Sequence, residues 1–186
     1  MKKKKITAED LLKMKFIRSV CLSPDESEIM FTAEIVSEDK KKYHSHIYMI
    51  TADGTNLRQY TFGKVSDSNP VFSPDGRWIV FTSKRNDKKG IYKMPTSGGE
   101  PKLVVSEDGS YSEISISPDS KKVLCVFTKA DELPKDKDGK KEAPVFRHIT
   151  NMFYKLDNLG FRPKDPGHIY IYDLESGRKV YYKSFV

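Results

Sequence analysis

The sequence predicts an all-β fold: a partial β-propeller of about three four-stranded antiparallel blades, preceded by a short N-terminal helix. Two observations carry this. Ser-Pro-Asp occurs three times, at Ser23-Pro24-Asp25, Ser73-Pro74-Asp75 and Ser117-Pro118-Asp119, in steps of 50 and 44 residues, and a repeat of that period marks a propeller. The pair Ile-Tyr keeps the same order, at Ile47-Tyr48, Ile91-Tyr92 and Ile169-Tyr170, each opening a strand that runs into a glycine turn.

The elements follow in chain order. MKKKK looks like the start of a secretion signal, but Ile6-Thr7-Ala8-Glu9-Asp10 stands where the apolar stretch should be. Thr7 and Asp10 have the spacing of a capping box, and Leu11, Leu12 and Met14 give the short helix one apolar face. The repeats then read VCLSPDESEIMFTAE, PVFSPDGRWIVFTSK and SISPDSKKVLCVFTKA. In each, a first strand stops at Ser-Pro-Asp, the chain turns, and a second strand leaves. Proline presets the first central position of a turn, Asp bonds backbone two residues on, and a residue without an N–H belongs at a strand end. Only the second copy carries glycine next (Gly76), against Glu26 and Ser120, which leaves room for different turn types. Third strands are HIYMITADG, GIYKMPTSGG and HIYIYDLESG, with hairpin glycines at Gly54, Gly98, Gly99 and Gly177. Fourth strands are LRQYTF, PKLVV and KVYYKS. The blades span roughly 16–62, 68–106 and 112–184, within a single domain over 1–186.

The third blade is interrupted. Pro24 to Ile47 is 23 residues and Pro74 to Ile91 is 17, whereas Pro118 to Ile169 is 51, so about 34 extra residues lie within 129–167. KADELPKDKDGKKEAP is charged and reads as an exposed loop. VFRHITNMFYKLDNLGFRP is too apolar to hang in water, and long loops with apolar content of their own are usually functional.

Composition fits a soluble chain with a core: 37% hydrophobic, 11% aromatic. No apolar run approaches the ~20 residues of a membrane helix. A cytoplasmic location is expected, and Cys21 and Cys125, both in apolar strands, read as reduced, packed thiols. The net charge of +7 comes largely from lysines at 2–5, 40–42 and 135–141, with no nucleic-acid-binding motif beside them, so it reads as a solvated surface. Metal signals fail. His44 and His46 share a strand face without a third ligand and read as surface histidines. Asp136-x-Asp138-Gly139 mimics the middle of a calcium loop, but Pro134 and Val145 fall at its end positions. Trp78, Phe72 and Phe81 read as inter-blade core. No cofactor is expected.

On these residues the chain resembles TolB-like propellers and those of the prolyl oligopeptidase family of serine peptidases. The carriers are Ser-Pro-Asp-Gly followed by aromatic and β-branched residues, the opening ITAEDLLKMKFIRSVCLSPDESEIMFTAE, and the insert FRHITNMFYKLDNLGF. The last two are similar to acylaminoacyl-peptidase-like members, and the likeness covers nearly all of 6–186. It implies a non-catalytic propeller that caps a C-terminal α/β-hydrolase domain and restricts entry to short peptides. Such enzymes carry about six to eight blades before the hydrolase. Here there are three, and no glycine has serine two and glycine four positions on, so the G-x-S-x-G nucleophile elbow is absent. The chain therefore reads as the front part of such a propeller, a cloned fragment or a truncated product, with no catalytic residue and no hydrolysis of acylated or free peptides expected. The other reading is a stand-alone TolB-like interaction module.

Within the insert, Arg147, Tyr154, Lys155 and Arg162 are three cations and a phenol, suited to a peptide carboxylate or carbonyls. Alternatively Phe146, Ile149, Met152, Phe153, Leu156 and Phe161 anchor the insert, and its polar members face water or the hydrolase domain. Three blades leave two end faces open. The expected apolar rows there are Ile29, Phe31 and Val36 on one and Val123, Cys125 and Phe127 on the other. Self-association through those faces, as a dimer approximating a six-bladed ring, is expected.

Overall fold

Hydrophobic residues on both faces of the central strands call for cover on each side of a sheet, and the chain meets that demand for its second sheet by stacking the other two against it. The computed structural model describes residues 5–37, 39–131, 155–156, 160–161 and 167–183. Helix α1 is one turn, Ala8–Leu11, with Thr7 at its N-cap and Asp10 Oδ2 accepting from Thr7 N at 3.0 Å. It buries no residue; Leu11, Leu12 and Met14 stay exposed, so the expected apolar face packs on nothing described.

The first sheet is β1 (Phe16–Leu22), β2 (Glu28–Val36), β3 (Tyr43–Thr51) and β4 (Arg58–Gln59), hydrogen-bonded in chain order. The second is β5 (Asp67–Phe72), β6 (Trp78–Arg85), β7 (Lys88–Pro95) and β8 (Lys102–Val105), also in chain order. The third begins with β9 (Gly109–Ile116) and β10 (Lys122–Lys129). The insert supplies the two-residue pair β11 (Lys155–Leu156) and β12 (Gly160–Phe161), and the third sheet then finishes with β13 (His168–Asp173) and β14 (Lys179–Lys183). All pairing is antiparallel within the sheets. The sheets do not close on one another. β4 is much shorter than the LRQYTF run suggests.

The three Ser-Pro-Asp turns are one structure built three times. In each, the serine hydroxyl donates to the Asp carboxylate at 2.5–2.6 Å and accepts from the N–H that opens the second strand (Glu28, Trp78, Lys122) at 2.9 Å. The Asp also accepts from the N–H two residues on, at 3.1–3.2 Å. The fourth turn position is left-handed in all three: Glu26 at φ 61°, Gly76 at φ 71°, Ser120 at φ 59°. The turn types therefore do not diverge; Glu26 and Ser120 accept a conformation that suits glycine. Ser37 and Asp39 repeat the serine–aspartate clasp in the β2–β3 hairpin without a proline, Lys42 N donating to Ser37 Oγ at 3.0 Å.

A second repeated device precedes each turn by four residues. Ser19, Asn69 and Glu113 have φ 49–51°, and at each the first strand slips register against the second. In the first two sheets a threonine holds the bulge, Thr32 Oγ1 to Arg18 O and Thr82 Oγ1 to Ser68 O, both 3.0 Å. Val126 takes that position in the third.

Alternation along the strands sorts residues into rows. Met30, Ile47 and Met49 of the first sheet meet Ile79, Phe81, Tyr92 and Met94 of the second in one core cluster. The opposite row of the second sheet, Val80 and Ile91, meets Tyr111, Ile114, Val123, Cys125, Phe127, Tyr172 and Leu174 of the third. Phe81 and Tyr92 stack with centroids 6.3 Å apart. Val123, Cys125 and Phe127 are thus in a closed junction, with exposures of 0, 0 and 3%, and not on an end face. The row that looks outward from the third sheet is Leu124, Val126, Ile169 and Ile171. Ile29 and Phe31 do face outward from the first sheet; Val36 lies in the opposite row. Strands apolar on both faces do not reveal their phase, which is why the expectation went astray. Phe72 packs against the first junction, as expected of core. Both cysteines are free thiols; burial pushes Cys21 up to about 11 and Cys125 up to about 12.

Three outcomes follow from this packing. Phe81→Ala should cost about 3–5 kcal/mol in urea unfolding, whereas Phe31→Ala, its half-buried equivalent, should cost about 1 kcal/mol or less. Glu26→Gly should stabilise by about 0.5–1 kcal/mol by relieving a left-handed non-glycine residue. Ser120→Gly should gain less, because Ser120 Oγ accepts from Asp75 N at 3.1 Å across the second junction. The Ser73 hydroxyl, helped by Arg77, holds Asp75 down at about 2. A carboxyl depressed on folding stabilises above its unfolded pKa and loses that contribution as pH falls through the folded value. The urea midpoint should therefore drop between about pH 4 and pH 2, with a shallower drop in Asp75→Asn.

Candidate functional site

Two polar assemblies sit at the sheet junctions, at opposite ends of β5 and β6. The first surrounds Asp67, which opens β5 and is fully buried. Arg85, at the end of β6, places Nη2 2.9 and 2.8 Å from its two carboxylate oxygens. From the neighbouring sheet Ser45 Oγ donates to Asp67 O at 2.6 Å, and Ser45 pairs with Ser66 through a parallel bridge. Ser83 is the cross-strand partner of Asp67. Tyr92 OH donates to Lys88 O at 2.9 Å and closes the β6–β7 hairpin beside Arg85.

His46 belongs to the same neighbourhood. It is 5% exposed, so it is a buried histidine rather than the surface residue expected. Desolvation pushes its pKa down; the Asp67 charge opposes that, and the charges of His44 and Arg85 add to it. Among the described residues, His46 Nδ1, Ser83 Oγ and Arg85 Nε are buried without a hydrogen-bond partner. Serine, histidine and aspartate thus meet here by type but not by geometry. No hydrogen bond joins Ser83 to His46 or His46 to Asp67 among those described, and the carboxylate is committed to Arg85. A hydroxyl becomes a nucleophile through a hydrogen-bonded base, and this arrangement supplies none. The signal for this assembly in the sequence is the Asp that opens the otherwise uncharged strand DSNPVF.

The second assembly is a cleft of about 280 Å³ between the second and third sheets, just past their Ser-Pro-Asp turns. Arg77, Trp78, Lys93, Ser120, Lys121 and the Asp173–Glu175 hairpin line it. Lys93 is its centre. Its Nζ lies 2.8 Å from Glu175 Oε2 and 4.9 Å from the centroid of the Trp78 ring. Hydrogen bonding from Lys93 holds the Glu175 carboxyl below its usual value. Glu175 is 91% exposed, so this pair is a rim contact of small worth. Gly177, at φ +68°, closes the hairpin where Val104 O would lie 2.1 Å from any Cβ. The cleft's cations and carboxylates face one another, and its chemistry is that of a sheet-to-sheet clasp. Trp78 lines this rim instead of the inter-blade core expected for it.

Of the four insert residues read as substrate contacts, Lys155 is exposed at the start of β11, where it pairs with Phe161. Arg147, Tyr154 and Arg162 lie outside the described residues. So do Asp136, Asp138, Pro134, Gly139 and Val145 of the calcium-like stretch, and Phe146, Ile149, Met152 and Phe153 of the insert's apolar set. No group of three or more His, Cys, Asp or Glu residues that could hold a metal ion occurs among the described residues. No helix among them is long and apolar enough to cross a membrane.

Known proteins share both the sequence and the sheet arrangement. The TolB beta propeller domain matches residues 16–142. An uncharacterized peptidase of Bacillus subtilis (strain 168), YuxL, is 25% identical over 178 residues, covering 94% of this chain and 27% of the peptidase. An acylaminoacyl peptidase solved in complex with Z-Gly-Gly-Phe-chloromethyl ketone superposes with a TM-score of 0.71 at 18% identity, over 94% of this chain and 26% of that one. The putative TolB from Agrobacterium tumefaciens superposes with a TM-score of 0.58 at 22% identity, over 92% of this chain and 50% of that one. This chain thus spans about a quarter of the length of the peptidases it resembles. Three repeated four-stranded sheets with a common turn, bulge and junction, matched over most of their length by that domain, show that the chain belongs to the TolB beta propeller domain family.

Proposed function

We propose that the chain is the non-catalytic propeller segment of an acylaminoacyl-peptidase-like serine peptidase, gating short peptides into an α/β-hydrolase domain that these 186 residues do not contain. The observation that carries this reading is the reach of the likeness. YuxL aligns over 178 residues, whereas the Tol-Pal protein TolB of Bordetella pertussis aligns over 57, or 30% of the chain. An alignment that takes in 94% of the chain, and not 30% of it, favours the peptidase. The sequence carries no G-x-S-x-G elbow, and no hydrogen bond joins a serine to a histidine among those described, which accords with a role in access. The insert between β10 and β13 is the element that would narrow the entrance, with Arg147, Tyr154, Lys155 and Arg162 offered to peptide carboxylates and carbonyls. A cytoplasmic setting goes with the two free thiols.

The second reading is a stand-alone interaction module. It draws on the higher local identity to TolB, 42% over those 57 residues. The encoding locus separates the two: a reading frame continuing to a G-x-S-x-G motif supports the peptidase, and continuation into propeller alone supports the module.

The isolated chain should not turn over acyl-aminoacyl or aminoacyl chromogenic substrates; turnover that survives repurification and is abolished by a serine-directed inhibitor would sink this reading. In the longer protein, replacing 132–154 by a short glycine-serine linker should admit longer peptides while leaving the rate on short ones unchanged. An unaltered length profile would remove the gating role.

A further inference from the structure

We propose that the cleft between the second and third sheets binds a peptide carboxylate, which takes the place of Glu175 on the Nζ of Lys93. The inference is independent of the peptidase reading.

It rests first on two departures from the repeat. Counting from each Ile-Tyr pair, Lys93 corresponds to Met49 of the first sheet and Ile171 of the third. Met49 is fully buried. Lys93 is buried too, at 9% exposure, and lies across from Val80 in the row that faces the third sheet. Counting from each Ser-Pro-Asp proline, Trp78 corresponds to Glu28 and Lys122. It stands two residues before Val80 in the same row and is the chain's single tryptophan. An ammonium in an apolar row is costly unless it is paired. A chain breaks its own local rules chiefly where function requires it.

The pairing of Lys93 is the second observation. Among the described residues its ion-pair partner is Glu175, at 2.8 Å. The lysine side chain is 11% exposed and the glutamate side chain 91%. A buried cation thus depends on an anion that stands in water on a hairpin, and an exposed carboxylate is held weakly. Other charges of the cleft are committed. Arg77 pairs with Asp75 at 2.7 Å, and Asp173 accepts from Ser176 N and Glu175 N at 2.8 and 3.1 Å. Lys121 adds an exposed cation at the rim. Glu175 is therefore the group that can be exchanged.

The cleft has the walls such an exchange needs. Its volume of about 280 Å³ lies just below the roughly 300–1,000 Å³ of ligand pockets, which suits a side chain with its flanking backbone. Leu174, 4% exposed, and the Trp78 ring give it apolar surfaces. A low local dielectric strengthens a charge pair held between them. Lys93 loses its water when the sheets pack, so an arriving carboxylate meets an ammonium already desolvated and fixed, and binding to a preorganised group costs less. Glu175 itself, a carboxylate carried on a peptide chain, defines the chemistry that fits.

The test uses the lone tryptophan. Lys93 Nζ lies 4.9 Å from the Trp78 ring centroid, so the emission of Trp78 reports directly on the site. The chain is titrated with four probes: acetyl-Ala-Glu-Ala-amide, its Gln counterpart, acetyl-Ala-Ala-Ala with a free C-terminus, and inorganic phosphate. A saturable change is expected with a carboxylate peptide and none with the Gln peptide. Response to the first probe identifies a side-chain carboxylate as the ligand; response to the third alone identifies a chain terminus. Glu175→Gln should tighten binding about two- to fivefold by removing the internal competitor. Lys93→Met, which installs the residue of the first repeat, should abolish it. Lys121→Glu, an exposed change, should weaken it about threefold or more and serves should Lys93→Met fail to fold. No saturable response from either the unaltered chain or Glu175→Gln overturns the proposal. So does an equal response to the Gln peptide, a response to phosphate alone, or one that survives Lys93→Met.

Discussion

A four-stranded sheet that is apolar on both faces has no stable existence alone, and that constraint organises everything else in this molecule. Each sheet must be sandwiched, and the sandwiching is done by rows of alternate residues that differ in character. The second sheet shows it best: its odd-numbered β6 residues Ile79 and Phe81 go one way, and Val80 goes the other. Buried aromatic area of this kind contributes several kcal/mol per residue. The polar groups are arranged so as not to interfere, at the ends of the strands and at the rims of the junctions.

The turn and the bulge serve the same constraint from the backbone side. The serine hydroxyl and the aspartate carboxylate fasten the first two strands at one end, so the rows start in the same phase in every sheet. The left-handed residue four positions earlier breaks the alternation once, at the same place each time. Residues on either side of it therefore face opposite ways from simple counting. A bulge increases local twist and re-aims the side chains beyond it. Repeating both devices makes the three sheets superposable, and superposable sheets nest.

The fold was legible because Ser-Pro-Asp and Ile-Tyr recur in constant order with glycine turns between them, and each has a local physical meaning. Which row faces which neighbour was not legible. Val123, Cys125 and Phe127 look as apolar as Leu124, Val126 and Ile169, so nothing local says which set is covered. The buried Asp67–Arg85 pair was hidden for a related reason: two residues 18 apart meet only after the strands pair. His46 looked like surface because a histidine beside lysines usually is, and nothing in its immediate sequence announces that it is 5% exposed. The reverse error befell the terminal helix, whose leucines are patterned for burial and yet stay in water.

Among the described residues the two core clusters share no member and lie one on each face of the middle sheet. Coupling in such a stack passes between nearest neighbours alone. An end sheet can swing away and solvate one cluster while the other keeps its full set of contacts. Opening should therefore be graded, with amide protection deepest in β6 and β7, which the two clusters hold from either side. Wear at one edge of the molecule stays at that edge.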